Sequence, residues 1–277
     1  MPTAVAASWT ENRPTAGLRA VRLGELWEYR ELVFFLALRD VKARYKQALF
    51  GLAWAVLQPI AGVVVFTFVF RGLADVQSDG LPYPLFALVG FLAWTYFAST
   101  LATATASLVE NAALVTKVYF PRLAAPVSGL LPGLVNLLPG AVLAAALMAY
   151  YGVAPGPAIV ALPLCLLGLM ASALGTGLLL ATLNVRYRDV GSVIGTVVQL
   201  WLFASPVAYS SSEIGDPWRW VYALNPMAGV IDSLRWAVLD GPAPGPELLV
   251  SAASCIVLLA AGLVYFASAE RRFADVI

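Results

Sequence analysis

The chain contains no histidine, so the commonest general base and metal ligand at neutral pH is missing. It has two cysteines, Cys165 and Cys255, each inside an apolar run. They read as small buried hydrophobes and not as a disulfide framework. Charge is scarce: Asp, Glu, Lys and Arg make up 12% of the 277 residues, against about 25% in soluble domains. The lysines are Lys42, Lys46 and Lys117, and none stands in the glycine-rich, Lys-Ser/Thr context of a P-loop. No enzyme activity is expected of this chain alone. The opening, MPTAVAASWTENRPTAG, lacks the charged start and apolar core of a signal peptide. Residues 1–27 are expected to be a cytoplasmic lead-in. No internal repeat is visible, which argues against transporters built from two matching halves.

What fills the chain is apolar, at 61% of residues. Six apolar runs, 51–70, 83–109, 127–151, 158–183, 191–209 and 248–267, approach the about 20 residues that cross a hydrocarbon core. Lipid offers backbone groups no partner, so the expected fold class is an all-α integral membrane protein, one domain over 28–277. The Gly, Pro and Ala of the third run should permit close helix contact and bending. None of the six runs contains Asp, Glu, Lys or Arg. A proton- or ion-coupled pump needs such groups at depth. Energy must therefore come from elsewhere.

The chain is organised around residues 28–59. At 100° per residue, Phe34, Leu38, Val41, Tyr45, Ala48 and Leu49 fall on one face. Arg39, Asp40, Lys42, Arg44, Lys46 and Gln47 cover the other side. This pattern predicts an amphipathic interfacial helix over 28–50 that carries Arg39, Lys42, Arg44 and Lys46, with Lys42 and Lys46 toward lipid phosphates and Phe34, Leu38 and Val41 toward acyl chains or span neighbours. The first span then follows directly.

Residues 210–242 are apolar but interrupted at Asn225–Pro226, and each half is too short to cross. Two short helices that dip in and return are expected, carrying Trp218, Asn225, Pro226, Asp232 and Arg235. Asp232 and Arg235 lie three apart and should pair on one helix face. With six spans, both termini share a side. That side holds Arg13, Arg19, Arg22, Arg30, Arg39, Lys42, Arg44, Lys46, Lys117, Arg122, Arg186, Arg188, Arg271 and Arg272. The other keeps Arg71, Arg219 and Arg235. The positive-inside rule then places both ends in the cytoplasm.

Four stretches carry a family resemblance: RDVKARYKQALFGLAWAVLQP (39–59), NAALVTKVYFPRLAAP (111–126), NVRYRDV (184–190) and SPVAYSSSEIGDPWRWVYALNPMAGVIDSLRWAVLDG (205–241). In this order they resemble the polysaccharide-exporting permeases of the ABC-2 class, which move O-antigen, teichoic acid and capsular chains. The resemblance implies a half-transporter of the bacterial cytoplasmic membrane, with two permease copies and two copies of a separate ATP-binding subunit. It binds no cofactor itself; ATP and Mg belong to that partner. No nucleic acid is expected among its partners. The loop matching 111–126 is implied to dock on the ATPase through Lys117, Tyr119, Phe120, Pro121 and Arg122. Arg186, Arg188 and Asp189 form a second candidate contact. The 210–242 stretch is implied to form paired re-entrant helices at the outer mouth. Sugar faces stack on aromatic rings, so Trp54, Phe66, Phe70, Trp94, Tyr96, Phe97 and Trp201 are candidate channel aromatics. An ABC-2 permease for a drug or lipid, or a non-transporting membrane scaffold, remains an alternative at this point.

Overall fold

A computed structural model describes residues 23–46, 51–187, 189–270 and 273. Helices α1 (Leu23–Glu28) and α2 (Arg30–Lys46) precede α3 (Gly51–Phe66), which runs on through a π-helical turn, Thr67–Leu73. Next come α4 (Tyr83–Glu110), α5 (Ala112–Lys117), α6 (Ala124–Ser128) and α7 (Leu130–Tyr151). After a 3₁₀ turn at Pro157–Ala161 follow α8 (Leu162–Arg186), α9 (Asp189–Phe203), α10 (Trp218–Tyr222), α11 (Pro226–Leu239) and α12 (Leu248–Ala269). No strand occurs among the described residues.

Five segments have the length and apolarity of a membrane crossing: Ala55–Leu73, Tyr83–Glu110, Ala124–Tyr151, Pro157–Arg186 and Leu248–Ala269. The expected fifth span, 191–209, is only partly helical. Its helix, α9, has 15 residues and stops at Phe203. Pro206 is the physical reason, since proline drives the residue before it out of the α region. Residues past Ala204 continue the path without a helix. The 210–242 stretch forms two short helices, as expected, broken at Asn225–Pro226. Asn225 caps α11 by accepting from the Met227 N–H at 3.0 Å, and Pro226 takes the first helical position.

Helix α4 is the centre of the bundle, packed against α3, α6, α7, α8, α9 and α11. Within its most apolar stretch 67% of residues are buried, against 11% for the first crossing segment and 17% for α12. Apolar helices this exposed face lipid or another apolar chain. Glycines bring the helices together. A Cβ at Gly133 of α7 would sit 2.6 Å from the Thr100 hydroxyl of α4, so Gly133 permits the close contact expected of that span. Helices α8 and α12 touch backbone to backbone: a Cβ at Gly175 would lie 2.6 Å from the Leu259 amide nitrogen. Gly262 faces Gly175 from the other side of the same contact.

The bundle has two distinct ends. At one, Val115, Phe120, Leu123, Val185, Phe266 and Phe273 form a buried cluster against which Leu26, Tyr29, Leu32 and Val33 pack. At the other, the Tyr83 hydroxyl donates to the Ala208 carbonyl at 2.7 Å, and Gly241 lies against Leu81. Helix α9 joins them. It starts beside Thr105 of α4, through Asn184, passes Phe97 with Trp201 at 5.2 Å, and hands over to Val207 beside Gly90. Among the described residues, Arg30, Arg39, Lys42, Lys46, Lys117, Arg122 and Arg186 collect at the α5 end. Arg71, Arg219 and Arg235 collect at the α10 end.

The α8–α12 contact leaves no space for a side chain. Gly262→Val is expected to cost about 1–3 kcal/mol, the range for overpacking, seen as a lower unfolding midpoint of the solubilised protein. Gly195→Ala, at a position with nothing within 4 Å, should leave that midpoint unchanged or higher.

Candidate functional site

The 111–126 loop folds as α5, a turn and α6, and it is tied down at three points. Asn111 sits before α5 and donates from Nδ2 to the Ser107 carbonyl at 2.7 Å. Arg39 of α2 donates from Nη1 to Asn111 Oδ1 at 2.8 Å. At the far side, the Arg122 amide donates to Glu270 Oε1 at 3.2 Å, and its guanidinium donates to the Glu270 carbonyl. The loop is thus bolted to α2, to α4 and to the end of α12.

The predicted docking residues divide. Phe120 is 4% exposed and Pro121 is buried, so the expectation that Phe120 presents itself to a partner is corrected. A phenyl ring with an apolar cluster beneath it goes inward, and it holds the loop to its own bundle. Tyr119 is 75% exposed, and Lys117 and Val118 are exposed with it. Half-buried Arg122 is engaged with Glu270. These residues present a tyrosine, a valine and a lysine on a rigid base. That combination suits a protein contact.

The second predicted contact shares this end, through Val185 in the same cluster. Arg186 and Asp189 are exposed, and Arg186 stacks on Tyr187 at 5.2 Å. Arg188 lies outside the described residues. Asn184, which the sequence reading passed over, positions the turn. Its Nδ2 donates to the Thr105 carbonyl at 3.1 Å, and its Oδ1 accepts from the Gly191 amide at 2.9 Å. The signal for it was a lone amide at the end of an apolar run.

Helix α2 carries three stripes where two faces were expected. Leu36 and Ala37 are buried, with Leu32 and Val33 beside them, and they face the bundle. The predicted apolar face points elsewhere: Phe34 is exposed, and Leu38 and Val41 are half-buried. Lys42 and Lys46 are exposed on a third side. Arg39 stays on this helix with its fork shared between Asn111 and Asp40, 2.8 Å away. The physical reason is that a wheel projected from sequence has no knowledge of α6 and α7, on which α2 packs. Arg44 falls among side chains outside the description, as does Trp54.

Three of the seven candidate channel aromatics belong to the core. Trp94, Tyr96 and Phe97 are buried on α4, and the Tyr96 hydroxyl donates to the Leu130 carbonyl at 3.3 Å. A ring in the middle of one chain's core cannot line a passage, so these three are corrected. Phe66 and Phe70 are half-buried and stack on each other at 5.7 Å. Trp201 is half-buried and donates from Nε1 to Asn225 Oδ1 at 3.1 Å.

At the α10 end Arg235 is 4% exposed and holds two elements together. Its Nε donates to the Phe86 carbonyl at 3.2 Å and its Nη2 to the Val207 carbonyl at 2.8 Å. Its carbon lies 3.4 Å above the Phe86 ring, a cation–π contact. Gly90 makes this possible, because a Cβ there would stand 2.7 Å from Nη2. The expected pair forms, with Asp232 Oδ1 3.6 Å from Arg235 Nη1. Ser211 donates to Asp232 Oδ2 at 2.5 Å. Burial pushes the Asp232 carboxyl above the usual carboxylate range, with Arg235 and Ser211 pulling the other way. Trp218 is exposed, away from this network.

A polar cleft of about 270 Å³ lies among Asp79, Ser210, Tyr222, Asp232, Arg235 and Glu247. Asp79 has φ +52°, the left-handed region, in an Asp-Gly turn. That turn directs its carboxylate at Ser212, which donates at 2.8 Å, and at Ser210.

Comparison with known proteins covers most of the chain. The ABC-2 type transporter family profile matches residues 31–239. The O-antigen export system permease protein RfbA of Myxococcus xanthus is 32% identical over 262 residues, covering 93% of this chain and 99% of the relative. Two Klebsiella pneumoniae proteins of the same name are each 26% identical over 248 residues, 89% of this chain and 95% of theirs. The matched region runs from α2 through the 111–126 loop to the end of α11, and the chain belongs to the ABC-2 type transporter family.

Proposed function

We propose that this chain is the membrane-spanning permease subunit of an ATP-driven exporter of O-antigen-type polysaccharide or lipid-linked glycan, energised by a separate ATP-binding subunit. The observation that carries this reading is the near end-to-end match to the Myxococcus xanthus O-antigen export permease. Two permeases and two ATPases make the working unit, in the bacterial cytoplasmic membrane. The poorly buried outer faces of α3 and α12 support pairing with a second copy or with lipid. The ATPase docks on the α5 end through Lys117, Val118 and Tyr119, with Arg186 and Asp189 beside them. Its closing motion passes through Asn111 and Arg39 into α2, and through Arg122 into α12. ATP and Mg are handled by the partner.

The topology in this reading has six crossings, counting α9, with both termini cytoplasmic and 210–242 re-entrant on the outside. The basic residues collected at the α5 end support that orientation. Helix α2 lies in the inner interface, with Phe34, Leu38 and Val41 toward acyl chains and Lys42 and Lys46 toward phosphates. Each such lysine contributes about 1 kcal/mol with anionic lipid.

Deleting the gene should abolish surface polysaccharide and leave lipid-linked glycan inside the cell. Unchanged surface polysaccharide, with raised drug sensitivity instead, would replace this reading by small-molecule export. Single cysteines at Ser212 and Thr116, in a Cys165→Ala, Cys255→Ala background, should react with impermeant reagent from opposite sides of the membrane. Reaction of both from one side refutes the topology. Tyr119→Ala should weaken ATPase co-purification by about 2 kcal/mol, roughly 30-fold, as for an interface anchor, with the permease still folded. Phe120→Ala should instead lower the permease's own unfolding midpoint, a loss of about 3–5 kcal/mol for a core phenyl ring.

A further inference from the structure

Helices α7 and α8 follow one another in the chain and both pack on α4, yet a gap stays open between them. It is a groove of about 750 Å³ with a buried floor, made by Ala93 of α4, Leu169 of α8 and Leu234 of α11. Leu138, Ala141 and Ala145 of α7 form one wall, exposed, and Leu162 and Leu166 of α8 form the other. Every residue lining it is apolar. On α7 the lining runs from Leu134 to Ala149, about 22 Å at 1.5 Å per residue. That is at least the ~15 Å depth of hydrocarbon in one leaflet. Just past it stand Tyr150 and Tyr151, exposed and stacked 5.0 Å apart, a residue type that marks the edge of a bilayer. The groove therefore opens sideways into acyl chains, below the headgroups at the α10 end.

Size and chemistry select the occupant. Water finds no polar side chain on these walls, and an empty groove would forfeit contacts along its whole lining. A helix of a second copy, ~10 Å across, would need roughly 1,700 Å³ over that length, more than twice the space. Counting ~30 Å³ per water-sized group, the groove takes about 25 methylenes, one full acyl chain and part of another. The rim adds a sign. Asp240 ends α11 two residues after Val238 of the groove, with φ +53°, and is exposed. Its carboxylate lies against Gly156, next to Pro155 of the groove. No basic residue lines the groove. A headgroup with a primary ammonium complements such a rim, and a net anionic one is repelled.

We propose that the α7–α8 groove is a binding site for one glycerophospholipid with an ethanolamine headgroup, its acyl chain laid along α7 and its ammonium at Asp240. The site requires the chain in a membrane and does not depend on what is exported. The test reconstitutes the permease–ATPase complex in phosphatidylcholine nanodiscs with a trace of photoreactive probe. The probe is phosphatidylethanolamine or phosphatidylcholine with a diazirine on one acyl chain. Irradiation should label groove residues of α7 and α8, about three-fold more with the ethanolamine probe, as for an exposed ion pair. Asp240→Asn, which tolerates the same backbone angle, should bring the two probes level. Ala145→Trp, which fills the groove from its exposed wall, should lose the groove labelling while the exposed face of α12 labels as before. Both variants should co-purify with the ATPase. Groove labelling that is unchanged by Ala145→Trp, or no stronger for ethanolamine than for choline in the wild type, overturns the site. So does an unlabelled groove beside a labelled α12, which would mark a face covered by protein. Displacement of the probe by a polyprenyl phosphate but not by added phosphatidylethanolamine assigns the groove to another lipid and overturns the proposal as well. In each case the exporter reading stands.

Discussion

Inside hydrocarbon a backbone amide has no water to turn to, and a helix is the one local way to satisfy it. With hydrophobic contrast removed between helix and lipid, what remains to order such helices is close contact and shared hydrogen bonds. The architecture follows from that constraint. Helix α4 is surrounded because its glycine-bearing neighbours can approach it, and α8 meets α12 because Gly175 and Gly262 face each other. Most buried serines and threonines bond back to their own helix, and a few amides and one arginine serve as ties. Asn111, Asn184, Asn225 and Arg235 each bridge elements far apart in sequence.

These ties fall at the two ends, and they differ in kind. At the α5 end an apolar cluster is rimmed by Arg39–Asn111 and Arg122–Glu270, which tie the loop to α2 and to the end of α12. At the α10 end a buried arginine carries the load across α4, α11 and the segment after α9. One end is an apolar cluster rimmed by polar ties. The other sets a buried arginine beside a cleft.

Much of this was legible in the sequence. Uncharged runs gave the long helices within a few residues, because hydrocarbon thickness leaves little freedom in length. The Asn225–Pro226 break and the Asp232–Arg235 pair were readable from local rules of capping and helix spacing. What failed was orientation. A helical wheel gave Phe34, Leu38 and Val41 as the apolar face, toward acyl chains or neighbouring spans, and had no means of showing that α6 and α7 pack on the side of Leu36 and Ala37. Phe120 and the α4 aromatics looked available because residue type says nothing of what lies beneath. The hold of Arg235 on Phe86 and Val207 was invisible, since it is defined only by neighbours distant in sequence.

Asn184 narrows what evolution can write at one place. Its amide must give a proton to Thr105 and take one from Gly191. Aspartate would arrive without the proton to give, leucine without either group, and glutamine one methylene too long for a buried niche. Gly191 is bound by the same arrangement, as a Cβ there would crowd Asn184 Oδ1 at 3.1 Å. Two letters seven apart therefore spell a single instruction, and neither can be revised without the other.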